Sequence, residues 1–172
     1  FKEAYQEIQN KGIRSLIIDL RDNGGGIVDE AMEIADYILD KDTTMLITVD
    51  KKQEEEVTKA KQEPIVKLPI VVLVNDGTAS ASEMLAGALQ DTRKATIVGK
   101  TTYGKGVIQE LYTLSDGSGL KITIKEYFTP NRNKINKVGI KPDYEVEYEK
   151  DKEDAQLNKA IEILRLSSQS SL

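Results

Sequence analysis

A serine at the end of a strand–turn–helix segment is the first candidate for chemistry. Residues 75–83 read Asn-Asp-Gly-Thr-Ala-Ser-Ala-Ser-Glu and follow an apolar run, which places Ser80 where a helix begins. The amides at a helix N-terminus can hold a negatively charged oxygen. Ser80 followed three residues later by Glu83 also matches a capping box, which is a purely structural role. The two roles are compatible, so Ser80 is a candidate nucleophile.

Two glycine-rich segments supply further candidate groups. Residues 23–26, Asn-Gly-Gly-Gly, join an apolar strand to a helix, but their contiguous glycines do not fit the dinucleotide-binding fingerprint. They form either a plain tight turn or a backbone that approaches a ligand closely. Lys105 lies between Gly104 and Gly106, just before a predicted strand. By itself this pattern more often marks an exposed loop lysine.

The sequence contains neither His nor Cys. This excludes a Ser-His-Asp triad, a thiol nucleophile, a disulfide framework and any zinc site built on thiolate or imidazole. A base for Ser80 must then be a Lys, a carboxylate or a Tyr. An ordinary lysine has a pKa of about 10.4 and is protonated at neutral pH, so a lysine base needs burial and no carboxylate partner. We therefore expect Lys105, as the base, to be largely buried and unpaired.

Length and charge narrow the classes of partner. The chain has 172 residues, with 24 Lys and Arg against 29 Asp and Glu, and a net charge of −5. Nucleic acid is thus a poor candidate partner. The composition fits one α/β domain over residues 1–172. No apolar run approaches the roughly 20 residues of a transmembrane helix. Because the chain opens within a predicted helix and without Met, we expect it to be a piece of a longer precursor.

Periodicity predicts a β/α alternation followed by a strand-rich part and a final helix. Residues 69–74 are almost continuously apolar, which is typical of a strand buried on both faces of a parallel sheet. Residues 51–63 are highly charged and predict a solvated excursion or an exposed helix. Residues 167–172 predict a frayed tail. The other predicted strands are 15–20, 45–49, 95–98, 107–114 and 120–128, and the predicted helices are 1–10, 27–39, 81–89 and 154–166.

The three motifs together resemble one family, the carboxyl-terminal processing (tail-specific) proteases. The resemblance rests on Asp19-Leu-Arg-Asp-Asn-Gly-Gly-Gly26, on residues 74–89 around Ala79-Ser-Ala-Ser-Glu83, on Tyr103-Gly-Lys-Gly-Val-Ile-Gln109 and on Gly139-Ile-Lys-Pro-Asp143. These segments span nearly the whole chain in the family's order. One departure is visible, because Gly24 stands where the family commonly has Pro.

The resemblance implies a Ser-Lys dyad in an α/β, crotonase-like (ClpP/crotonase) core with a strand-rich C-terminal half. Ser80 would be the nucleophile, Lys105 the general base and Gln109 the residue that orients the lysine. The amides of Gly26 and Ala81 would form the oxyanion hole. Lys105 and Gln109 lie four residues apart, about 13 Å in an extended strand, so they can touch only if the chain bends between them.

The resemblance also implies a substrate and a location. Substrates would be protein or peptide C-termini, cleaved without metal or cofactor, and the location would be extracytoplasmic: periplasm, the outer face of a membrane or a lumen. Relatives carry a PDZ domain, and we expect none within these 172 residues. The oligomeric state stays open, and an oligomer is possible.

Two alternatives remain at this stage. A crotonase-like acyl-CoA enzyme would use paired oxyanion amides without a nucleophile. A binding module would keep the fold and lose catalysis, which usually leaves a broken dyad. The presence of Ser80, Lys105 and Gln109 together favours the peptidase over both.

Overall fold

A computed structural model describes residues 1–149 and 152–169. The chain alternates strands and helices in its first half and is richer in strands in its second. The elements are α1 (Lys2–Gln9), β1 (Leu16–Asp19), α2 (Val28–Asp36), β2 (Thr44–Asp50), β3 (Glu55–Lys59), β4 (Ile70–Val74), α3 (Ala81–Asp91), β5 (Ala95–Gly99), β6 (Val107–Thr113), β7 (Gly119–Phe128), β8 (Tyr144–Glu145) and α4 (Ala155–Gln169).

Over the described residues the strands form two four-stranded sheets. The first has the order β1-β4-β5-β8, and all of its neighbouring strands are parallel. The second has the order β3-β2-β7-β6, and its neighbours are antiparallel. The prediction of an α/β fold is therefore confirmed at the level of a mixed α/β chain with two sheets.

Strand β4 is buried along its whole length, as its apolar run predicts. Val72 and Val74 belong to a core with residues of α2 and α3, whereas Val71 and Leu73 pack against Ala160 and Leu164 of α4. The parallel sheet is thus covered on both faces. The end of β4 is fixed by this packing, and Ser80 follows it by six residues.

Two sequence-based expectations are wrong in part, and one short strand was not predicted. Within residues 51–63 the chain forms β3, an edge strand whose Glu55 and Glu56 pair with Arg132 and Lys125. Charges on an edge strand block pairing with other chains, so a charge run does not exclude a strand. Helix α4 continues to Gln169, beyond the predicted end, while residues 170–172 lie outside the described part. Strand β8, two residues long, was not predicted.

Burial also departs from the pattern at two places. Ile27, the apolar first residue of the predicted helix 27–39, is the N-cap of α2 and is 69% exposed. Residues Leu16, Ile17 and Ile18 of β1 are half-buried, because β1 is the edge of its sheet. No helix formed by residues 1–149 and 152–169 is long and apolar enough to cross a bilayer.

Helix α4 is tied to the end of β1 through Arg21. The guanidinium donates to both oxygens of Asp19, to both oxygens of Asp154 at 2.8 and 3.0 Å, and to the side chain of buried Gln156. Asp154 is the N-cap of α4 and accepts the Leu157 amide at 3.0 Å. Partial burial raises the pKa of Asp154, but the Leu157 amide and Arg21 outweigh it, and the pKa lies below its usual value.

We predict that Asp154→Ala lowers the free energy of unfolding at neutral pH by about 1–2 kcal/mol, since a helix cap and an ion pair are lost. Because folding lowers the pKa of Asp154, its contribution is present above the unfolded pKa of about 3.9 and is lost as the pH falls through the folded value. Urea unfolding at pH 7 and at acid pH measures this, with exposed Glu153→Ala as the control. Equal stability of the two variants at pH 7 would contradict it.

Candidate active site

Ser80 lies in the turn that joins β4 to α3, at the N-cap of the helix. Its φ of 58° and ψ of −122° are unusual for a residue with a side chain, and such conformations concentrate at functional sites. A serine in a sharp strand-to-helix turn is presented at the end of a sheet. Ser82 differs: it is buried, and its hydroxyl donates to the Asn23 side-chain oxygen at 3.0 Å. Ser80 is half-buried.

The carboxylate of Glu83 joins Ser80 to the loop that carries Lys105. Glu83 is fully buried in the first turn of α3. Its Oε2 accepts the amides of Ser80 and Lys105, each at 2.9 Å. Its Oε1 accepts the Gly104 amide at 2.7 Å and the Thr102 hydroxyl at 2.5 Å. Because one oxygen accepts both amides, the backbone nitrogen atoms of Ser80 and Lys105 are no farther apart than twice 2.9 Å.

Lys105 is half-buried, less than the large burial expected from the sequence. Among the described residues, no carboxylate forms an ion pair with its ammonium group. The flanking glycines permit close packing: a Cβ at Gly104 would lie 3.0 Å from the Gly139 nitrogen, and one at Gly106 only 2.2 Å from the Asn136 nitrogen. The backbone on both sides of Lys105 therefore packs against residues 136–139 too closely for a side chain at position 104 or 106.

The glycine-rich turn of residues 23–26 lies directly against Ser80. Gly25, with φ of 87°, is packed so tightly that a Cβ would lie 2.6 Å from the Ala79 oxygen and 2.9 Å from the Ser80 Cβ. Asn23 fastens this turn, because its backbone oxygen accepts the Ala79 amide at 3.0 Å and its side chain accepts the Gly25 amide at 3.0 Å.

Gly26, by contrast, faces open space. The amides of Gly26 and Ala81 donate to no acceptor in the part of the chain that the structure describes. Ala81 is the residue after Ser80 in the chain. Gly26 is the residue after Gly25, which packs directly against Ser80. They are available to an incoming oxygen.

Gln109 lies on β6 and is exposed. Its side-chain amide donates to the Thr123 hydroxyl at 3.4 Å across the β6–β7 pair, and no hydrogen bond joins it to Lys105 among the described residues. The structure brings Ser80, Ala81, Gly26 and Lys105 together and leaves Gln109 apart from them. The extended chain from residue 107 explains this, since four residues of strand span about 13 Å.

Sequence reasoning missed three contributors to this site. Glu83 was assigned to a capping box, and its carboxylate does accept the Ser80 amide, but its contacts with residues 102, 104 and 105 have no local signal. The sequence does not show which of the three contiguous glycines, 24 to 26, packs against Ser80. Tyr127, whose hydroxyl contacts the carbonyls of Ser80 and Lys105, lies 22 residues beyond Lys105, and nothing near it in the sequence marked it as part of a site.

Known proteins resemble this chain over most of its length. The sequence pattern of peptidase family S41 matches residues 1–146. The carboxyl-terminal-processing protease of Synechocystis sp. is 46% identical over 144 residues, which cover 84% of this chain and 34% of that protein. The carboxy-terminal processing protease CtpA of Bacillus subtilis is 39% identical over 145 residues, covering 84% and 31%. This chain spans about a third of the length of these relatives.

A solved structure titled photosystem II D1 C-terminal processing protease superposes with a TM-score of 0.78 and 40% sequence identity, covering 84% of this chain and 38% of that one. These relatives and this solved structure are all named as proteases. The chain belongs to peptidase family S41.

We predict that Gly25→Ala lowers the free energy of unfolding by about 1–3 kcal/mol, because its Cβ has no room and its φ is positive. Gly26→Ala, the adjacent and matched change, meets no atom and should shift stability by no more than about 0.5 kcal/mol. Urea unfolding of both variants measures the difference. Equal stability of the two would mean that the turn does not pack against Ser80 as described.

Proposed function

We propose that this chain is the catalytic core of a serine endopeptidase that cleaves polypeptides near their C-termini with a Ser80–Lys105 dyad. The single observation that carries the proposal is the Glu83 oxygen that accepts both the Ser80 and the Lys105 amide. This shared contact supports the dyad because it links the backbones of Ser80 and Lys105, which are 25 positions apart in the sequence.

In the proposed reaction, the Ser80 Oγ attacks a backbone carbonyl carbon while the Lys105 amine takes the hydroxyl proton. The Gly26 and Ala81 amides hold the oxygen that becomes negative, a contribution of about a hundredfold to a thousandfold for one such donor. The intermediate collapses as the peptide C–N bond breaks and Lys105 passes the proton to the leaving amine, which leaves an acyl ester on Ser80. Lys105 then takes a proton from the water that attacks this ester. The ester C–O bond breaks, Lys105 returns the proton to the Ser80 oxygen, and the new carboxyl terminus departs.

Supporting observations come from the other groups of the site. The Ser82 hydroxyl is buried and donates to Asn23, so it is a weaker candidate nucleophile than Ser80. The four donors around Glu83 compensate its charge within the core. Gln109 would orient Lys105 only after its side chain leaves Thr123, and this role stays part of the proposal.

The wider context is proposed by similarity. Because the relatives are named carboxyl-terminal processing proteases, we infer that protein or peptide C-termini are the substrates. Because the sequence has neither His nor Cys, the side chains of the usual zinc and thiolate sites, we infer that cleavage requires no metal or cofactor. An extracytoplasmic location fits a relative named as chloroplastic. The covered parallel sheet with a second sheet beside it supports a crotonase-like core. The relatives reported above are all named proteases, so neither an acyl-CoA enzyme nor an inactive binding module is favoured.

The test is labelling with a fluorophosphonate probe, followed by peptide mapping and by assay on an unstructured peptide. We expect the label on Ser80 and a loss of cleavage of about 10⁴-fold or more in Ser80→Ala. Ser82→Ala is the matched control and should keep measurable turnover, since its hydroxyl serves a structural bond. A label on Ser82, or full activity in Ser80→Ala, would overturn the assignment.

The same assay tests the base in its second arm. Lys105→Arg keeps the positive charge but cannot accept a proton, so it should reduce cleavage by about 10²- to 10⁴-fold. Lys100→Arg is the control, because Lys100 pairs with Glu147 at the surface. An arginine variant at 105 that retained the rate would show that another group is the base.

A further inference from the structure

Tyr127 is a buried polar side chain that the proposed reaction does not use. It lies on β7, its ring is fully buried in the core, and its hydroxyl contacts two backbone oxygens. The hydroxyl donates to the carbonyl of Lys105 and lies 3.2 Å from the carbonyl of Ser80. The Tyr127 amide donates to the Gly106 carbonyl at 3.0 Å, which fixes the ring beside the lysine loop.

The two carbonyls depend on this hydroxyl to different degrees. The Ser80 carbonyl also accepts the amides of Glu83 at 2.9 Å and Met84 at 3.1 Å, so it stays satisfied without the tyrosine. The Lys105 carbonyl has the Tyr127 hydroxyl as its donor. The Lys105 peptide is therefore clamped at its amide by Glu83 and at its carbonyl by Tyr127.

This clamp matters because Lys105 lies between two glycines. Gly104 and Gly106 carry no side chains that could restrict their own backbone dihedrals. The hydrogen bonds to the Lys105 amide and carbonyl, together with the tight packing of the two glycines, therefore fix the point from which the long lysine side chain extends. Two side chains, Glu83 and Tyr127, each contact both Lys105 and Ser80 and so link the two residues.

We propose that Tyr127 is a positioning residue, whose hydroxyl fixes the peptide of Lys105 beside the Ser80 carbonyl and thereby sets the approach of the lysine amine to the serine hydroxyl. This proposal rests on the proposed dyad. Tyr127 acts only through Lys105 and transfers no proton itself. Burial and the charge of Glu83 raise the pKa of Tyr127, so the hydroxyl remains a donor and is not the base.

The test compares Tyr127→Phe with wild type in the rate of Ser80 labelling by a fluorophosphonate and in kcat and KM for an unstructured peptide. Phenylalanine keeps the ring that fills the core and removes only the hydroxyl. We expect kcat and the labelling rate to fall about threefold to tenfold, in line with one lost hydrogen bond, with KM unchanged. Tyr5→Phe, at a buried tyrosine of α1, is the control and should change neither rate.

A double-mutant cycle separates positioning from a general structural role. If Tyr127 acts through Lys105, then Tyr127→Phe should lose its effect on the residual labelling rate in the Lys105→Ala background. A persisting effect in that background, an unchanged rate in Tyr127→Phe, or loss of its cooperative unfolding transition would each overturn the proposal. These outcomes are distinct from failure of the dyad itself, which would appear as wild-type labelling that does not require Ser80 or Lys105.

Discussion

The site depends on one buried carboxylate. Glu83 lies in the first turn of α3 with no exposure to solvent, and an ionised carboxylate in such a place is costly unless hydrogen bonds replace the lost water. Two of its four donors come from the serine turn and the lysine, and the other two from residues 102 and 104. Satisfying Glu83 therefore requires the loop of residues 102–105 to lie against the start of α3, and this brings Lys105 to Ser80.

The rest of the fold supplies the fixed points for that constraint. The buried strand β4, covered on both faces, ends where the turn to Ser80 begins. The end of the neighbouring β1 leads into the turn whose Gly25 packs against Ser80, and Arg21 anchors this end to α4. Tyr127 on β7 reaches the same place from the antiparallel sheet. Both sheets thus contribute to the site: the parallel sheet positions the Ser80 turn at the end of β4, and the antiparallel sheet contributes Tyr127.

Sequence reasoning predicts those parts of the molecule whose signal is local. The apolar run of β4, the helix start at Ser80 and the glycine turns are local patterns, and their order resembles a known family closely enough to name Lys105. The remaining features are long-range. The charges of β3 pair with Lys125 on β7 and with Arg132 after the end of β7. The contacts of Glu83 and Tyr127 with the lysine loop join segments about twenty positions apart. Periodicity carries no information about which hydrogen-bond donor will face a given carboxylate.

The most direct test of this account is the rate of fluorophosphonate labelling of Ser80 in Glu83→Gln, measured below its melting temperature with exposed Glu7→Gln as control. A glutamine presents one oxygen and one NH₂ group, so two of the four donors must lose their acceptor, at about 1–3 kcal/mol for each buried group left unsatisfied. We predict a labelling rate at least about tenfold lower in the folded variant. A wild-type rate would contradict the claim that this carboxylate assembles the site.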